Sequence, residues 1–197
     1  MTKYVFFILV VSLGLGCSQP GDSNLDALMN AERNVEAGMS VLETWNADSV
    51  AVVRERVATR FRDLDWLVAD STLTYTVKDG QLSGDWARVK RFLKDGPTRL
   101  VTLDEQGALC LTQLNGLMQA IRRGAMEDAN GTPMNEAYFS KEAQRELTAA
   151  KTWGMAVAET ERLLELGIEL EAQTRTSIDS LIQTKRAEWA QNIASEN

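Results

Sequence analysis

The 197-residue sequence contains no histidine, only two cysteines and only three prolines. Without histidine the commonest general base and the commonest transition-metal ligand are missing, as are the Glu-x-x-His pairs of di-iron bundles. Two cysteines, Cys17 and Cys110, cannot form a disulfide framework. Gly-rich phosphate loops, nucleophile elbows and Cys-x-x-Cys pairs are absent too. These gaps argue against an enzyme, and no cofactor or metal site is expected. Scarce proline with abundant Ala, Leu, Glu, Gln and Arg favours helix over sheet, and a 44% hydrophobic content supports a real core.

Charge is not scarce, but a basic block is. The formal net charge is -7, and bases alternate with acids in stretches such as "VVRERVATRFRDLD". Nucleic-acid binding needs a concentrated basic face, so it is disfavoured.

Residues 1-16, "MTKYVFFILVVSLGLG", run from Lys3 through an apolar stretch into small residues, the order of a secretory signal peptide. Tyr4 to Leu15 is too short for a bilayer-spanning helix, which needs about 20 apolar residues; a buried core strand is the alternative. "LGLGC" resembles the lipobox of bacterial lipoproteins, with small Gly16 before Cys17 and Leu13 four residues before it instead of three. The resemblance implies acylation of Cys17 and, because Ser18 follows, sorting to the outer membrane facing the periplasm. Ordinary cleavage leaving a free cysteine is the other reading. Residues 17-24 then read as the lipidated cysteine and a polar tether, and residues 25-197 as one helical domain. Losing Lys3 with the signal leaves 20 basic against 28 acidic residues, a net of -8, which an anionic lipid surface repels.

From Leu25 to Val68 the apolar residues Leu28, Val35, Met39, Leu42, Trp45, Val50, Val57, Phe61 and Leu64 recur mostly at steps of three and four. This predicts one long helix with a kink or break at "WNADS", where Asn46 or Asp48 can cap a second piece. "STLTYTVKDG" alternates Leu73, Tyr75 and Val77 with threonines, which predicts an extended connector turned by Asp79-Gly80. A short helix led by Trp86 follows and should close at Gly96-Pro97. The seam Leu100, Leu103, Gly107, Leu111, Leu114, Met118 and Ile121 gives another helix ending near Arg122 and Arg123, and "DANGTP" gives a turn. From about Met134 to Ile193 a last long helix is expected, with Gly154 and Gly167 as its bends. Placed end to end, these pieces predict an all-α fold, an elongated antiparallel three-column helical bundle with long first and last helices and coiled-coil-like 3-4 ridge packing.

The phrasing "WARVKRFLKDGP...LCLTQLNGL...YFSKEAQREL" is also similar to short, helical bacterial envelope lipoproteins that have no assigned activity. That resemblance implies a fold and an address, and no catalytic residue.

Other candidate groups are weighed one by one. Cys110, between two leucines, reads as core filler, with redox or crosslinking the alternative. Glu161, Glu165 and Glu169 form a like-charge ladder that faces either solvent or Arg54, Arg56, Arg60 and Arg62; a calcium site is the other reading. Asp63, Asp65 and Asp70 lack the burial or nucleophile that acid-base work needs. Among five tryptophans, Trp189, Trp66 and Trp86 are the candidate interaction residues, Trp189 above all because it stands in a terminal stretch where a large apolar side chain is hard to bury. The expected role is a lipid-anchored envelope scaffold or protein-interaction module, contacting the membrane through Cys17 and an envelope protein through its helices. The alternative is a binding protein for a small apolar or cationic ligand held between helices.

Overall fold

The computed structural model describes residues 19-196, apart from the side chain of Glu196. Helix α1, Leu25–Glu43, buries Leu28, Ala31, Val35 and Leu42 on the face their spacing defines. The chain then breaks. Asn46 adopts an extended conformation and its side-chain carbonyl accepts the Ser49 N–H at 2.8 Å, capping α2, Ala47–Val68. The expected long first helix is therefore two helices in one column, because a capped end is a stop and a restart.

α3, Val77–Leu93, corrects the reading of the connector. The Thr76 hydroxyl accepts the Asp79 N–H, and the Asp79 carboxylate accepts the Thr76 N–H, a capping box that draws Asp79 and Gly80 into the first helical turn. Leu73 is still buried as alternation predicts, but Val77 points to solvent. Gly96 and Pro97 likewise open α4, Gly96–Arg122, instead of closing the preceding helix. Proline suits that position because an initial helical N–H has no partner to lose. Between α4 and α5 the residues from Gly124 turn back on themselves, with Glu127 bridging Pro133.

α5, Glu136–Glu196, has 61 residues, about 90 Å at 1.5 Å per residue, and passes unbroken through Gly154 and Gly167. α1 and α2 run out, α3 and α4 return, and α5 runs out again. α1 packs on α4 and α5, while α2 packs on α3, α4 and α5. The all-α three-column bundle is thus present.

Trp153 is where α1, α4 and α5 meet. Its indole N–H donates to the Leu103 carbonyl at 2.8 Å. A Cβ added to Gly38 would lie 2.7 Å from its ring, and one added to Gly107 would meet both the ring at 2.7 Å and Met39 Sδ at 2.2 Å. Neighbouring columns can therefore approach it only through glycine.

The expected tether is corrected from Gln19 onward. Gly21 is buried with φ 88°, and its N–H donates to Glu136 Oε2 at 2.6 Å, while the Ser23 hydroxyl donates to Glu136 Oε1 at 3.2 Å. A turn of 3-10 helix, Asp22–Asn24, leads directly into α1. The first described residues are thus fastened to the start of α5, at the end that we call proximal. Cys17 and the signal segment lie outside the described residues.

Candidate functional site

The opposite, distal end brings together the end of α2, the start of α3 and the last turns of α5. Trp66 on α2 and Trp189 on α5 meet there edge to face, ring centroids 5.0 Å apart. Trp66 is 52% exposed and Trp189 is half-buried. Trp86 is corrected: it is 0% exposed, and its indole donates to the Val57 carbonyl at 3.2 Å. It stands in the middle of α3 on the face that packs against α2, so it serves the core.

The aromatic pair stands on a fastened base. In the loop between α2 and α3, Thr74 donates its backbone N–H and hydroxyl to Glu188 at 3.2 and 3.3 Å. Lys185, buried at 7% exposure, donates to the Thr74 carbonyl, pairs with Glu188 at 2.8 Å and lies 5.0 Å from the Tyr75 ring centroid. Asn192 donates to the Thr72 carbonyl at 3.3 Å. The Tyr75 hydroxyl is buried without a hydrogen-bond partner among the described residues, and burial pushes its pKa up against the opposing pull of Lys185. The last turns of α5 are therefore strapped down, which lets Trp189 be half-buried in a terminal stretch.

Carboxylates surround the pair. The hydroxyl and backbone N–H of Thr72, with a smaller contribution from the Trp189 indole, hold Asp70 below the usual carboxylate range. Hydrogen bonding from Lys185 and Thr74 does the same for Glu188. Asp63 pairs with Arg186 at 2.8 Å. Asp65 is exposed, and Asp63 and Asp70 are partly exposed.

The charge ladder between α2 and α5 uses other acids than the expected ones. Arg56 bonds Glu171 at 2.8 Å and Arg60 bonds Asp179 at 2.8 Å, whereas Arg62 stays on its own helix with Glu55 and Arg54 donates to the Lys94 carbonyl. Glu165 and Glu169 face solvent and Glu161 is partly exposed. Glu171, 2% exposed, is also met by Arg175 at 3.2 Å. Among the described residues no group of three or more Cys, Asp or Glu is placed to hold a metal ion. Cys110 is half-buried, and burial together with the nearby Glu146 charge pushes its thiol pKa up, which disfavours the reactive thiolate.

Spaces between columns are open grooves. One of about 640 Å³ runs between α1 and α5, lined mainly by small residues such as Ala31, Ala150 and Gly154. Another, of about 310 Å³, lies at the break between α1 and α2, where Leu42, Trp45 and Leu100 meet the carboxylates of Glu43, Asp104 and Glu105.

No described helix is long and apolar enough to cross a membrane. The chain matches no protein-family model, and comparison with curated proteins and with solved structures likewise gives no match.

Proposed function

We propose that the protein is a lipid-anchored bacterial envelope protein, a non-enzymatic scaffold or interaction module held to a membrane through Cys17. The observation that carries this reading is the placement of the two ends. The chain enters the fold at the proximal end, where Gly21 is fastened to Glu136, and the half-exposed Trp66–Trp189 pair lies at the distal end. Fifty-three residues of α5 separate Glu136 from Trp189, about 80 Å of helix. An anchor on Cys17 would have only Ser18, Gln19 and Pro20 between it and the fastened Gly21, a reach of roughly 15 Å. The rod is thereby held by its base, and its aromatic end is presented away from the lipid. Acyl chains on one cysteine suffice for such an anchor, since each buried methylene contributes about 0.8 kcal/mol.

The test is made in intact bacterial cells. The mature protein should carry an acylated Cys17, and Cys17→Ser should leave the membrane fraction. A photocrosslinker at Trp66 should capture one stoichiometric envelope protein, and that product should fall away in Cys17→Ser. An unmodified mature Cys17, or absence of any protein crosslink from either end or from the helix faces, refutes the reading.

The groove at Trp45 favours a second reading, a cationic apolar ligand held between columns. Its apolar wall and three carboxylates suit an ammonium group on a hydrocarbon body. Saturable stabilisation by benzyltrimethylammonium, lost in Trp45→Ala, would support it, and an unchanged Tm would remove it.

A further inference from the structure

We infer that the Trp66–Trp189 pair is a docking platform for a basic segment of a partner protein, one that carries an apolar anchor beside its Lys or Arg. This inference rests on the interaction-module reading and names the chemistry of the partner.

Three features of the distal end lead there. A half-exposed indole is a poor choice for a solvated helix end, and here two indoles from different columns are brought into contact. The pair is also held in place: the loop between α2 and α3 is tied to α5 through Glu188, Lys185 and Asn192. Aromatic anchors fixed in advance lose little entropy on binding, which is how interfaces use Trp and Tyr. The third feature is charge. Lys185 and Arg186, the basic residues flanking Trp189, are already matched by Glu188 and Asp63. Asp65, next to Trp66 in the sequence, and Asp70, bonded to Thr72, are in no ion pair among the described residues.

The field at the platform is therefore negative, and electron-rich ring faces add to the attraction for a cation. A second copy would bring the same carboxylates against these, and an anionic lipid surface would be repelled. A basic, apolar-anchored peptide segment complements both the rings and the carboxylates.

The full chain is titrated with fluorescent 14-residue peptides of Leu and Lys, of Leu and Glu, and of Ser and Lys, read by anisotropy. The Leu/Lys peptide should bind at least tenfold more tightly than either of the others. Trp66→Ala should weaken it about tenfold and Asp70→Asn about threefold, while Leu109→Ala, exposed on α4 far along the rod, should leave it unchanged. Trp66→Arg, at an exposed position, is the second variant and should repel the peptide, with circular dichroism confirming the fold. The inference is overturned if the Leu/Lys peptide does not bind, if the Leu/Glu peptide binds equally, or if Trp66→Ala and Trp66→Arg leave binding intact. Trp66-dependent uptake by phosphatidylcholine vesicles, or Trp66-dependent dimerisation, would assign the platform to lipid or to a second copy and overturn it as well. If the peptides fail while a crosslinker at Trp66 still captures an envelope protein, only the partner chemistry falls and the module reading stands.

Discussion

Gly107 and Gly116 sit nine positions apart on α4 and make opposite demands. At Gly107 a methyl group would stand 2.2 Å from Met39 Sδ and 2.7 Å from the Trp153 ring, which its own hydrogen bond to Leu103 holds still. At Gly116 nothing lies within 4 Å. Overpacking costs about 1–3 kcal/mol, whereas replacing glycine by alanine in an open helix interior gains about 0.5–1 kcal/mol. Gly107→Ala should therefore lower the Tm and Gly116→Ala raise it, measured by thermal circular dichroism. Equal shifts in the two would show that Trp153 is not a rigid junction. Residue by residue, burial was only partly legible. Trp66, Trp86, Trp153 and Trp189 are the same letter, and periodicity placed Trp86 on a helix without showing that its indole reaches the Val57 carbonyl. Trp66 and Trp189 could be picked out by their positions near helix ends, but their contact joins residues 123 apart and leaves no local pattern.

Among the elements, the loop between α2 and α3 relies on a few polar contacts. Lys185→Met would keep the apolar stem while leaving the Thr74 carbonyl without its donor and Glu188 without its cation. The substitution should speed hydrogen exchange at residues 72–80 more than in α1; uniform exchange would rule out a local strap. Acid should act on the same segment. Hydrogen bonds from the Thr76 backbone hold Asp79 below its usual range, as Thr72 does for Asp70 and Lys185 for Glu188. A carboxylate depressed in the folded state stabilises above its unfolded pKa, near 4, and loses that contribution as pH falls through the folded value. Protection at residues 70–80, corrected for the intrinsic exchange rate at each pH, should thus fall as pH drops below about 4 before α1 responds, modestly because these groups are solvated. A flat profile there would sink the assignment. This segment was also the least legible. Alternating Thr with Leu73 and Tyr75 reads as strand, and Asp79-Gly80 reads as a turn, until the Thr-x-x-Asp spacing is taken as a helix start. The seams of α1, α2, α4 and α5 were legible because each buries a face at steps of three and four.

For the whole molecule, length and charge act together. The three columns share one core along a helix of about 90 Å, so the body has far more surface than a sphere of the same mass. Trp153 locks α1, α4 and α5 towards the proximal end, while Arg56–Glu171, Arg60–Asp179 and Asp63–Arg186 tie α2 to α5 along the distal half. Such distributed ties make a stiff rod. A compact chain of this size would have a radius of gyration of about 16 Å. A rod about 90 Å long requires roughly 27 Å, because its mass is spread along one axis. Small-angle X-ray scattering on residues 19–197 should give the larger value with a maximum dimension near 90–100 Å. The value should hold between low and high salt, since the core, not surface charge, sets the length. A radius near 16 Å would mean that α5 folds back on itself, bringing Trp189 towards Glu136 and removing the separation of ends on which the proposed presentation of the aromatic pair depends.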